Sequence, residues 1–141
     1  NAFGWFLAYL KIPALITGAL LGVSNNKIVV LLLINLLLLA LGTIMDMAPL
    51  IMITTPILMP VIQSIGMNPI QFGVMMVLNL AIGLCTPPVG AVLFVGCTIG
   101  KISMEKLTKS LFPFYAAMLA VLMLVTFVPE VVLFIPNLLL K

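Results

Sequence analysis

Apolar runs long enough to cross a bilayer, separated by only a few polar residues, set the terms on which this chain can fold. Ile28 to Met45 alone amounts to about 27 Å of helix at roughly 1.5 Å per residue, close to the thickness of the hydrocarbon layer. In hydrocarbon every backbone N–H and C=O must find a partner within the protein, which leaves helices or a closed barrel. The strict alternation of a barrel strand is absent, so an all-α polytopic membrane protein is expected. Composition agrees: 65% of the residues are hydrophobic and 6% charged, too few polar groups to cover a water-soluble domain. The formal charge of +3 comes from six Lys against Asp46, Glu105 and Glu130, scattered along the chain, so no nucleic-acid footprint is present. Cys85 and Cys97 lack a C-x-x-C spacing and read as buried, inert thiols. The opening Asn1-Ala2-Phe3-Gly4-Trp5 has no charged n-region and reads as the interior of a longer protein.

Prolines, glycines and polar clusters divide the chain. Residues 1–23 are expected to form a short bent or interfacial helix, interrupted by Lys11 and Pro13. Residues 28–65 read as a helical hairpin with its tip near 42–49, where Gly42-Thr43-Ile44-Met45-Asp46 precedes Pro49. The second arm carries Pro56 and Pro60, and Thr54-Thr55 are expected to re-satisfy carbonyls those prolines free. Asn68-Pro69 caps and opens the next helix. Residues 69–100 read as one discontinuous transmembrane helix broken at 83–90, since Pro87 and Pro88 cannot donate and residues before proline avoid the helical region. Residues 101–110, with Lys101, Lys106 and Lys109, are expected to be a cytoplasmic surface helix. A transmembrane helix over 111–129, opened by Pro113, and an interfacial tail over 130–141 complete the chain.

The sequence offers no catalytic set: it has no His, one Asp and two Glu, with no nucleophile placed beside a base, so an enzyme is not expected. Its informative places are the two breaks, because non-helical backbone survives at membrane depth only where it is buried in protein or lines a polar cavity. At Gly83–Gly90 one half-helix ends in unpaired carbonyls and the next begins with unpaired amides. Carbonyls suit a hard cation and amides suit a carboxylate, the arrangement ion-coupled transporters use at broken helices. A plain proline kink is the alternative, although Pro-Pro flanked by Gly83 and Gly90 exceeds what a kink requires. Asp46 is the only acidic residue before Met104, and an ionisable group within a membrane segment suggests ion coupling; an interfacial loop tip is the competing reading. Thus the hairpin is either re-entrant or two full spans. Asn79, one turn before Gly83, contacts substrate or bonds a neighbouring helix.

The stretch from Asn79 through Ile82-Gly83, Thr86-Pro87-Pro88 and Gly90 resembles the N-x-x-I-G-x-x-T-P-P-x-G signature of the large membrane subunit of tripartite ATP-independent periplasmic (TRAP) transporters. Gly42-Thr43-Ile44-Met45-Asp46, Thr55-Pro56-Ile57-Leu58-Met59-Pro60 and Gly66-Met67-Asn68-Pro69 resemble the second hairpin of that family, and Leu111-Phe112-Pro113-Phe114 through Pro129-Glu130 its last helices. The resemblance implies the C-terminal inverted repeat of an elevator-type, Na⁺-coupled secondary transporter in the bacterial inner membrane. It would import organic anions such as C4-dicarboxylates, sialic acid or another sugar acid. Its implied partners are a small membrane (Q) subunit, separate or fused, and a periplasmic substrate-binding protein. Carried onto this chain, it implies a Na⁺ site from Gly42, Thr43 and Asp46 with Gly83, Thr86 and Pro88, and substrate contacts at Asn79 and Thr86. A divalent-anion/Na⁺ symporter-like permease and a non-transporting membrane scaffold are the alternatives. No Arg is present to clamp a carboxylate, so the anion must meet helix ends, hydroxyls or groups outside this sequence.

Overall fold

The computed structural model of the chain describes residues 2, 9–23 and 25–140, and every regular element among them is helical. The helices are α1 (Ile12–Val23), α2 (Lys27–Gly42), α3 (Met47–Ser64), α4 (Pro69–Leu84), α5 (Ala91–Gly100), α6 (Met104–Phe127) and α7 (Pro129–Leu139). Much of the stretch expected as a bent helix over 1–23 lies outside the described residues. Its described part turns at Lys11, with φ of 54°, before α1 begins at Ile12.

α4 is the axis of the bundle, packed on α2, α3, α6 and α7. Phe72, Met75, Asn79 and Leu80 of α4 are fully enclosed, against Val30, Ile34 and Leu38 of α2 and Val61 and Ile62 of α3. Asn68 caps α4 by accepting from the Ile70 amide at 2.8 Å, and Pro69 occupies the first turn, where no backbone donor is required. Large apolar side chains also cover much of the outer surface: Phe112, Ile99 and Leu140 are 72%, 79% and 82% exposed, which suits lipid or other apolar protein and not water. α3 and α6 are long and apolar enough to cross a membrane; α2, α4, α5 and α7 are shorter.

The 24 residues of α6, about 36 Å of helix, serve as a ruler for the rest. Near its C-terminal end the carbonyls of Val125 and Thr126 accept from Gln71 Nε2 at 3.0 Å each; near its middle the Tyr115 hydroxyl donates to the Cys85 carbonyl at 2.6 Å; toward its start Leu107 packs on Gly96. α4 and α5 therefore follow one another along a single antiparallel helix, with the break between them opposite its midpoint.

One boundary differs from the sequence reading. A surface helix over 101–110 followed by a separate membrane helix over 111–129 was expected; α6 runs unbroken from Met104 to Phe127. Ser103 caps it, its Oγ accepting from the Lys106 amide at 3.3 Å, and Glu105 sits in the first turn where the helix dipole favours an acid. Pro113 lies inside the helix instead of opening it, and the carbonyl it leaves unpaired belongs to Lys109, still on the exposed polar segment. Most of the tail expected over 130–141 belongs to α7, which packs on α4 and α6. In α3 the hydroxyls of Thr54 and Thr55 donate to the carbonyls of Leu50 and Ile51, at 2.7 and 2.6 Å. Those are not the carbonyls of Met52 and Pro56 that Pro56 and Pro60 release.

Candidate functional site

α2 ends because Gly42 and Thr43 lead into a tight turn through Met45, where the Leu41 carbonyl accepts from Ile44 and Met45 at 3.1 and 3.0 Å. α4 ends because no amide is available at Pro87 or Pro88; Cys85 and Thr86 close the last turn onto Ile82 and Gly83 at 3.1 and 2.9 Å. These two ends meet. The Gly90 amide donates to the Thr43 carbonyl at 3.2 Å, joining the hairpin tip to the start of α5.

Glycine is required at the meeting point. A methyl group built on Gly83 would lie 2.7 Å from the Gly42 carbonyl carbon and 2.8 Å from its Cα, backbone against backbone. Gly90 adopts a left-handed conformation, φ 47°, and a methyl there would lie 2.9 Å from the Thr86 carbonyl oxygen. The glycines thus let two chain reversals share one place, without offering side-chain chemistry of their own.

Two cavities flank the junction. One, of about 240 Å³, is lined by Gly42, Thr43, Ile44, Met45 and Asp46 of the tip and by Leu84, Val89 and Ala91 of the break. Asp46 begins α3 with its carboxylate exposed and no side-chain capping bond, and Thr43 Oγ1 donates to the Ala40 carbonyl at 2.7 Å. The other cavity, about 320 Å³ and almost wholly apolar, holds Thr86 with Leu39, Ile82, Phe112, Tyr115 and Leu119. Thr86 Oγ1 donates to the Ile82 carbonyl at 2.7 Å. The structure therefore brings Gly42, Thr43, Asp46 and the break backbone around one space. It sets the Thr86 side chain on the α6 side of the break, and Pro88 is exposed at its edge.

Asn79 lines neither cavity. Fully buried one turn below Gly83, its Nδ2 donates to the Asn35 side-chain oxygen at 2.8 Å and to the Asn35 carbonyl at 3.0 Å. Asn35 Nδ2 in turn donates to Thr126 Oγ1 at 3.1 Å, and Thr126 to the Leu122 carbonyl at 2.7 Å. A directional chain of hydrogen bonds thus ties α4 to α2 and α6 where lipid-like surroundings leave no other partner. Among the described residues, Asn79 Oδ1 alone is left buried without a donor. Sequence reading identified Asn79 but passed over Asn35, Thr126 and Tyr115, which sit in apolar runs; the signal was that Asn35 and Gly42, seven residues apart, share a helix face, as Asn79 and Gly83 do.

The family model for the DctM component of tripartite ATP-independent periplasmic transporters matches residues 1–131. Among similar proteins, YgiK of Salmonella typhimurium is 48% identical over 134 residues, 95% of this chain and 31% of that protein. The isethionate TRAP transporter permease protein DctMQ of Oleidesulfovibrio alaskensis is 45% identical over 132 residues, 94% of this chain and 21% of its own. The sialic acid TRAP transporter large permease protein SiaM of Vibrio cholerae is 41% identical over 138 residues, covering 98% of this chain and 32% of its own. The chain thus spans no more than about a third of the length of these relatives.

Proposed function

Because the chain belongs to the DctM component family of tripartite ATP-independent periplasmic transporters, we propose that it forms the ion-coupling part of a Na⁺-driven importer of organic anions. The observation that carries this reading is the junction of the hairpin tip with the broken helix: Gly83 against Gly42, and the Gly90 amide on the Thr43 carbonyl. The tip meets the break, which lies opposite Tyr115 near the middle of α6, and this supports reading α2 and α3 as a re-entrant hairpin in place of two spans.

In this account Na⁺ enters the space bounded by Thr43, Asp46 and the start of α5, which offers hydroxyl, carboxylate and turn-carbonyl oxygens of the kind a hard cation takes. An ion bridging tip and break would hold them together. The first amides of α5 would then face a substrate carboxylate with the positive end of a helix dipole, replacing the absent arginine. The Thr86 hydroxyl, on the opposite side of the break, would act from the α6 side. Substrates would be C4-dicarboxylates, sialic acid or related sugar acids, or a sulfonate, as the names of the relatives suggest. A substrate-binding protein would deliver them, a small Q subunit, separate or fused, would complete the membrane assembly, and the location would be the bacterial inner membrane. Transport would proceed by an elevator movement of this repeat and its inverted counterpart, which lies outside this chain.

The test is uptake into proteoliposomes by the whole transporter with its binding protein, under an inward Na⁺ gradient and with K⁺ in its place. Uptake of one of these anions only with Na⁺ is the expected result; equal uptake in K⁺ would overturn the coupling.

A further inference from the structure

At the base of the hairpin, opposite the ion junction, lies a third cavity of about 540 Å³, within the range of small-molecule sites. Its walls are mostly apolar, including Leu31, Met67 and Phe127; of its three polar residues, Thr126 has its hydroxyl engaged by Asn35 and the Leu122 carbonyl, which leaves Lys27 and Gln71. Lys27 is the first residue of α2, so its ammonium adds to the positive end of the helix dipole, and no acidic residue occupies that first turn. Among the described residues the only ion pair is Lys109–Glu105, so Lys27 has no carboxylate partner; Glu130 of α7 lines a separate cavity with Phe134 and Asn137.

The second group is Gln71, only 5% exposed. Its Nε2 is fixed by the Val125 and Thr126 carbonyls, which accept and cannot donate, so the amide has one permitted orientation. That leaves Oε1, which accepts no hydrogen bond, as the polar atom Gln71 presents to the cavity. Among the described residues, an acceptor without a donor and a cation without a carboxylate thus border one apolar space. They lie at the end of the bundle where the chain turns at Asn26, Met67–Asn68 and Val128.

We propose that this cavity holds one glycerophospholipid whose headgroup carries a hydrogen-bond donor: its phosphate meets Lys27, its ammonium or hydroxyl donates to Gln71 Oε1, and its acyl chains run along the apolar walls. Both polar demands are then met by one molecule, and a choline headgroup, which has no donor, meets only the first. The bound lipid would brace the α2 and α6 ends that flank the hairpin.

The experiment is native mass spectrometry of the whole transporter, purified from bilayers containing equal ethanolamine, glycerol and choline phospholipids, as wild type and Lys27→Gln. Lys27 is exposed, so its replacement leaves the packing intact. The expected result is retention of ethanolamine or glycerol lipid over choline lipid by the wild type, with retention about fivefold lower in Lys27→Gln, the worth of one basic residue beside a phosphate. No headgroup preference in the wild type, a retention unchanged in Lys27→Gln, or no retained lipid because the remainder of the transporter fills the cavity would each overturn the proposal.

Discussion

Replacing Gly83 by Ala tests the junction most severely for the smallest chemical change. The added carbon would sit 2.7 Å from the Gly42 carbonyl carbon, and reaching ordinary contact near 3.4 Å requires the two backbones to part by about 0.7 Å. Neither neighbour is a side chain that can rotate away. Overpacking in a well-filled interior costs about 1–3 kcal/mol, and a backbone-to-backbone clash belongs at the upper end. Alanine also recovers up to about 1 kcal/mol of helix propensity, so the comparison must be made with a helical glycine that has room. Gly73, in the same helix with nothing within 4 Å, is that control. Gly83→Ala should therefore be about 2–3 kcal/mol less stable than Gly73→Ala, measured by denaturant titration of the whole transporter, with the propensity gain cancelling. Gly42→Ala, whose nearest contacts are 3.3 Å, should fall between them. Equal stability of all three variants would refute the claim that tip and break are in backbone contact.

Two further outcomes follow from the hydrogen bonds. Asn35→Leu and Asn79→Leu should each cost about 1–3 kcal/mol by orphaning the partner amide, while the double variant should cost clearly less than their sum; additivity in that thermodynamic cycle would show the pair is uncoupled. Tyr115→Phe removes the side-chain bond to the Cys85 carbonyl and should lower stability by about 0.5–1.5 kcal/mol; amide exchange accelerated around the break, and not in α6 itself, is the accompanying sign.

What could be read in the sequence depended on how local the physics was. The break between α4 and α5 is announced by Pro87-Pro88, because a missing donor is a property of the residue itself. The tip at Thr43–Asp46 is marked in the same way by Gly42 and the polar turn. That these two places touch is not local: Gly42 and Gly83 look like helix ends one by one, and only their mutual approach explains both. Asn35 was hidden because a single amide hardly alters the polarity of a leucine-rich run, and its role exists only once Asn79 and Thr126 arrive from other helices. Pro113 misled for the opposite reason. A proline suggests a helix start, but the cap at Ser103 and the acid at Glu105 had already begun α6, and the proline's unpaired carbonyl falls where the segment is still polar.

The measurement that bears most directly on the central claim is Na⁺-dependent anion uptake by the whole transporter in proteoliposomes, with binding protein present. Wild type, Thr43→Val and Asp46→Asn would be compared over a Na⁺ series, each variant first shown to fold. If the hairpin tip and the broken helix enclose the coupling ion, both variants will need about tenfold or more Na⁺ for half-maximal uptake, since removing one charged or hydroxyl ligand costs about 1.5–3 kcal/mol. An unchanged Na⁺ response in both would place the ion elsewhere and leave the junction a packing device.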